Sequence, residues 1–271
     1  SLRMHSKYLL FLLILLLVLM SCKKDSPPTT NPTATTDLCE EQAISDGKVF
    51  YITDTRHLFG GVSDDWHFEI DNLSLNLCRF SNGLGRESFH ALLEPEYVPI
   101  VNYTHDYRDN ERTIVVFSED GPLAFPISLV RDHEVVNDRV DGEPVAIVYC
   151  VLANFFRVYS RRVCDTVFTF ALSGYTYNDP NIWDGRDGFV WWDRETESLW
   201  WPLIDEAVSG TMKGAGLTVY PQGKWTEMSW YDVLEKYPDA RVLKRGQTME
   251  PPETWPGLEA NPCSGILEAT H

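Results

Sequence analysis

Beyond about residue 38 the chain arranges its apolar positions in short runs separated by polar and glycine-containing turns, the pattern of strands rather than long helices. Tyr97–Val101 and Thr113–Phe117 read as strands. Ser118-Glu119-Asp120-Gly121 turns the second of these into Pro122–Ile127, because Asp-Gly supplies the positive φ angles a tight hairpin needs. Asp141-Gly142 does the same before Val145–Tyr149, an unbroken apolar run suited to a central strand. Phe155–Val163 and Val167–Leu172 predict another hairpin. A further one is predicted in Gly188–Leu203, about the polar turn Arg194-Glu195-Thr196-Glu197. Gly216–Tyr220 and Ala240–Leu243 complete the strands, while Ile127–Val136 and Met228–Lys236 carry helical spacing. No internal repeat is present. The elements predict an α+β fold: a β-rich single domain with antiparallel hairpins and two or three short helices.

Tyr8–Met20 breaks the pattern. It is apolar throughout and follows Lys7, but its 13 residues fall short of the roughly 20 that span a bilayer. A basic flank and a short apolar core predict a secretory signal over residues 1–21. Its end, Leu19-Met20-Ser21-Cys22, resembles the lipobox of bacterial lipoproteins, and the resemblance implies acylation of the Cys22 thiol. Asp25–Asp37 is rich in Pro, Thr and Ser without apolar period, so residues 22–37 read as a tether. Residues 38–250 are then the globular domain, and 251–271 a proline-rich tail. The expected partner is a membrane, reached through the N-terminal lipid, and the expected location the bacterial cell envelope.

The formal charge of −17 is spread along the chain, a balance that repels phosphate backbones and argues against nucleic acid as a partner. Of six cysteines, assigning Cys22 to lipid leaves five, so oxidation on export leaves one thiol over. Cys39 and Cys263, near the two ends of the folded region, are the expected disulfide. No Cys-x-x-Cys motif supports a zinc ribbon or a thioredoxin-like centre. Five of nine tryptophans fall within residues 171–210. Neighbouring strand residues face opposite ways, so Trp191-Trp192 and Trp200-Trp201 need packing surfaces on both sides. Two readings stand: a large aromatic core, or an aromatic-walled site with Asp193, Arg194 and Glu197 at its mouth.

Candidate chemistry centres on Asp132-His133-Glu134-Val135-Val136-Asn137-Asp138. On a helix His133 and Asn137 would share a face, but Asn137 stands where a zincin carries its second histidine, so the zinc-hydrolase pattern fails. His133 with a carboxylate suits acid–base work; the alternative is a capping cluster. Cys150 ends the apolar run as a candidate nucleophile or, with His133, a soft-metal ligand; a buried thiol packed as a small hydrophobe is the other reading. Ser173-Gly174 is no nucleophile elbow. Asp193 and Glu197 flank a turn, either as a glycosidase-like pair or simply solvated. Ser81–Arg86 is glycine-rich but lacks a phosphate loop's Lys-Ser/Thr ending, and reads as a turn.

Several segments resemble the bacterial family called domain of unknown function 3179. They are Glu94-Pro95-Glu96-Tyr97, Ala124-Phe125-Pro126-Ile127, His133–Asp138, Pro144–Cys150, Phe170–Gly174, Asp193–Trp200 and Tyr237-Pro238-Asp239. The chain departs from that pattern at Cys150-Val151-Leu152-Ala153, where many members carry Cys-Pro-x-Cys, and at Trp191-Trp192-Asp193, where many carry Met-Tyr-Asp. The resemblance implies one exported or membrane-attached domain and leaves the reaction and any cofactor open. From the matching motifs His133, Glu134, Asn137, Cys150, Ser173, Asp193, Arg194 and Glu197 are expected to converge on a pocket beside the tryptophan hairpin. The expected function is a lipid-anchored envelope protein binding a small ligand or metal ion. Against it stand an enzyme using Cys150 and His133 or a carboxylate pair, and a structural or interaction module.

Overall fold

Runs of β-branched and aromatic residues between Gly- and Asp-containing turns build this protein from short strands. The computed structural model describes residues 32–61, 66–253, 257–258 and 260–264; the signal-like run and Cys22 lie outside the described residues. Helix α1 (Pro32–Ser45) comes first, so the end of the segment read as a tether is helical. The chain divides at Leu38, and the compact body begins at Cys39. There β1 (Val49–Ile52), β2 (Thr55–Phe59) and β3 (His67–Glu69) form an antiparallel sheet. Short strands β4 (Phe80–Asn82), β5 (Leu92–Leu93) and β6 (Tyr97–Pro99) each become the edge of a larger sheet.

Strands β7 (Arg112–Val116) and β8 (Leu123–Pro126) form the expected hairpin. One helical turn, α2 (Ile127–Val130), precedes β9 (Val135–Val140) and β10 (Glu143–Cys150). These two pair about Asp141 and Gly142, both at positive φ. Strand β11 (Phe155–Ser160) pairs with β10, and β12 (Arg162–Val163) with β13 (Thr166–Val167). Strands β14 (Phe170–Tyr177), β15 (Gly188–Asp193), β16 (Leu199–Trp201) and β17 (Glu206–Ala207) run as a meander. Last come β18 (Trp225–Ser229), α3 (Trp230–Lys236) and β19 (Arg241–Leu243). The larger sheets run β11-β10-β9-β5, β17-β16-β15-β14-β4 and β18-β7-β8-β19-β6. In them β5–β9 and β8–β19 are parallel pairs. The domain is α+β and β-rich, as its pattern predicts.

Four expectations need correction. Gly216–Tyr220 contributes two isolated bridges, to Glu206 and Tyr159, in place of a strand. The helix expected over Ile127–Val136 ends at Val130. Glu134 takes φ 58°, outside helical space, and the following valines suit a strand. The hairpin expected within Phe155–Leu172 forms only as the two-residue strands β12 and β13, because β11 pairs with β10 and β14 with β15. The disulfides are Cys39–Cys78 and Cys164–Cys263, with Cα separations of 5.5 and 5.3 Å, in place of Cys39–Cys263. The tail reaches the β12–β13 turn instead of α1, and on the way the Leu258 N–H donates to the Glu195 carbonyl in the β15–β16 turn at 2.6 Å. Cys150 alone stays reduced among the described residues.

The tryptophan pairs settle into the core. Trp191, Trp192, Trp200 and Trp201 are each at most 1% exposed. Trp191 meets Tyr159, Phe170 and Phe189. Trp192, pointing the other way, lies against Phe68 of β3 and the Arg86 guanidinium, so the first sheet is the second packing surface the sequence demanded. Of the two readings of these four rings, the structure bears out the aromatic core.

Candidate functional site

A cavity of about 420 Å³ opens where the end of β10, the middle of β14 and the start of β15 meet the loop after β4, a volume suited to a small molecule. Of the eight residues picked out from the sequence it gathers two, Glu134 and Cys150, among Leu172, Tyr175 and Phe189.

Close backbone packing forms one wall. Strand β14 bulges between Leu172 and Thr176, with Gly174 there at φ 84°, a conformation that favours glycine. The Gly83 N–H donates to the Gly174 carbonyl at 2.7 Å, and the Gly85 backbone occupies the space a Gly174 side chain would need. The glycine-rich stretch read as a turn is thus part of the cavity.

Glu134 is positioned by its backbone. Its N–H donates to the Val130 carbonyl at 2.6 Å and its carbonyl accepts from the Tyr149 N–H at 3.0 Å, which holds it beside the end of β10. No hydrogen bond or ion pair reaches its carboxyl from the described residues. Burial raises its pKa from the ordinary 4.5 to about 7, since an apolar wall disfavours the charged form. A carboxyl with a raised folded-state pKa keeps its proton better folded than unfolded. Its stabilising share is complete below about 4.5 and is lost as pH rises through about 7. Unfolding free energy should therefore fall between about pH 5 and about pH 8, and Glu134→Gln should remove on the order of 2 kcal/mol of that fall. Denaturant titrations at the two pH values check this; an equally steep fall in the variant would refute it.

Cys150 is 1% exposed at the end of β10. Burial pushes its thiol up to about 11, against the nearby Ala153 and Phe189 N–H groups, and Glu134 adds to the rise. Surroundings that favour a nucleophilic or metal-binding thiolate lower the pKa, whereas burial here favours the protonated thiol.

The other six candidates lie elsewhere. His133 does not line the cavity; its Nδ1–H donates to the His90 carbonyl at 2.9 Å, tying the turn to the preceding loop. The expected His133–Cys150 metal pair is thus not assembled there. Asn137 is buried in β9, where its amide donates to the Leu92 and Phe170 carbonyls and its oxygen accepts from the Phe170 N–H, joining two sheets. Its expected helical face with His133 does not exist. Ser173 donates to the Val190 carbonyl at 2.7 Å. Fully buried Asp193 accepts from the Thr196 hydroxyl and, at 2.7 Å, from the Trp200 Nε1–H. Burial outweighs these donors and lifts its pKa to about 7.

Arg194 and Glu197, expected at a site mouth, form ion pairs with Glu87 and Arg86. Arg194 binds Glu87 in a fork at 2.6 and 2.8 Å, while Glu197 accepts from Arg86 at 2.6 Å. Asp193 and Glu197 are therefore no carboxylate pair for glycoside cleavage. The one sequence signal for these contacts was a charged dipeptide, Arg86-Glu87, directly after the glycine loop.

The model of the family described as a protein of unknown function, DUF3179, matches residues 86–264. The chain belongs to this family. No curated protein and no solved structure matches it. The DUF3179 match begins at Arg86 and includes Glu134, Cys150, both ion pairs and Cys263. Strands β1–β3 fall before it, although Phe68 of β3 packs on Trp192 inside it.

Proposed function

We propose that this DUF3179 member is a lipid-anchored envelope protein whose domain holds a small, largely apolar ligand in the Glu134 cavity. The observation that carries the reading is the Glu134 carboxyl, set in an apolar wall with no partner among the described residues. The Glu134 side chain is half-buried, and a carboxyl facing apolar walls is poorly solvated until something hydrogen-bonds it. A ligand with one amine or hydroxyl on an apolar body supplies that bond, and Leu172, Tyr175 and Phe189 take the body. The lipobox-like Leu19–Cys22 supports the anchor.

A thermal-shift screen of small apolar amines and alcohols on the full chain tests the pocket. Compounds that stabilise the parent should lose most of their effect in Glu134→Gln, and again in Leu152→Trp, which obstructs the cavity from an exposed rim position. Equal stabilisation of all three proteins would overturn the reading. For the anchor, Cys22→Ser should move the chain from the membrane fraction to the soluble one; an unmoved chain would overturn it.

A further inference from the structure

A second concavity of about 580 Å³ shares no residue with the Glu134 cavity. Trp183, Trp225, Phe156 and Tyr220 supply aromatic surface to it, interleaved with Asn154 and Gln222. Trp183 is the one tryptophan of residues 171–210 left outside the core, 41% exposed. Its backbone sits at φ 49° and that of Asp184 at φ 54°, conformations that are unfavourable for such residues. The exposed ring recovers little of that strain by burial, yet it is held edge-on to Phe155 at 5.3 Å. Across the groove the Trp225 ring is fixed twice: its Nε1–H donates to the Tyr220 carbonyl at 2.9 Å, and it lies edge-on to Phe156.

The polar groups between these rings are two amides, one offering its NH2 group and the other both its NH2 group and its oxygen. Asn154 Oδ1 already accepts from the Tyr149 hydroxyl and Arg112, so its NH2 group is what it can offer. Gln222 is exposed, with no hydrogen bond to the described residues. The groove's cation, Arg157, is neutralised by the Asp205 carboxylate at 3.0 Å. A phosphate or carboxylate ligand would want that charge free, and a fatty chain would leave the amides unpaired. A sugar ring answers both features, since its C–H face packs on aromatic rings while its hydroxyls accept from amide donors.

We propose that this groove is a binding site for a neutral saccharide, separate from the ligand cavity. The test titrates the full chain, in a detergent without a sugar headgroup, with chitohexaose, cellohexaose and maltohexaose while following tryptophan emission. At least one should give a saturable change. Trp183→Ala and Gln222→Ala, both at exposed positions, should weaken that binding by about tenfold or more and about threefold, and Glu134→Gln should leave it unchanged. No saturation by about 10 mM with any of the three, or parental affinity in Trp183→Ala with its circular dichroism intact, overturns the proposal.

Discussion

Glu87→Gln is expected to destabilise the domain by roughly 3–5 kcal/mol, the usual consequence of removing one member of a buried ion pair. The Glu87 side chain is fully buried and that of Arg194 only 8% exposed. Their fork of two hydrogen bonds spans the gap between the loop after β4 and the β15–β16 turn. Glutamine keeps the shape but leaves the Arg194 charge uncompensated out of water. If the damage is that uncompensated charge, Glu87→Met with Arg194→Met should recover much of the loss, because two apolar groups need no partner. Chemical denaturation of the two single variants and the double one forms a cycle that reads the coupling directly. Additive losses would show that the pair does not act as a unit. Glu197→Gln should matter less. Its side chain is 48% exposed, and the Arg86 guanidinium keeps the Trp192 ring 3.5 Å from its centre.

Gly174→Ala should be about as damaging, by a different route. A Cβ there would stand 2.3 Å from the Gly85 carbonyl carbon and 2.5 Å from its Cα. Neither backbone can yield without opening the β14 bulge. Left-handed strain at φ 84° adds to the clash, for a total on the order of 3 kcal/mol or more. Gly142→Ala is the control: its φ of 81° is similar, but nothing lies within 4 Å, so about 1 kcal/mol is expected. Equal losses by calorimetry would mean that the close approach of loop and bulge is not what glycine serves at Gly174.

What the sequence made legible was local. The Asp-Gly turns and the polar turn between tryptophan pairs each placed a hairpin, since a turn's φ angles are dictated by its own residues. Helical spacing at Ile127, Val130 and Glu134 misled, because a single turn of helix satisfies it before β-branched valines take over. The role of the tryptophans depended on strands β1–β3, whose short runs carry little pattern. Of the candidate site, Glu134 and Cys150 were legible as an acid and a thiol at element ends. Arg194 and Glu197 were not legible as clamps, because their partners lie 107 and 111 residues away. The same holds for the disulfides: five cysteines offer many pairings, and only the folded chain selects among them.

The two disulfides close covalent rings that do not overlap, one of 39 residues' separation and one of 99. In the chain-entropy account they restrict the unfolded ensemble by roughly 4 and roughly 5 kcal/mol. Between them, residues 79–163 belong to neither ring, and the whole sheet β11-β10-β9-β5 lies in that stretch, with Glu134 and Cys150. Reduction therefore takes no bond away from that sheet. It lengthens the free segments on both flanks instead, so the redox state of the surroundings sets how far the folded chain outweighs the unfolded one while leaving the sheet beside the cavity, and the thiol at its end, with the same native contacts.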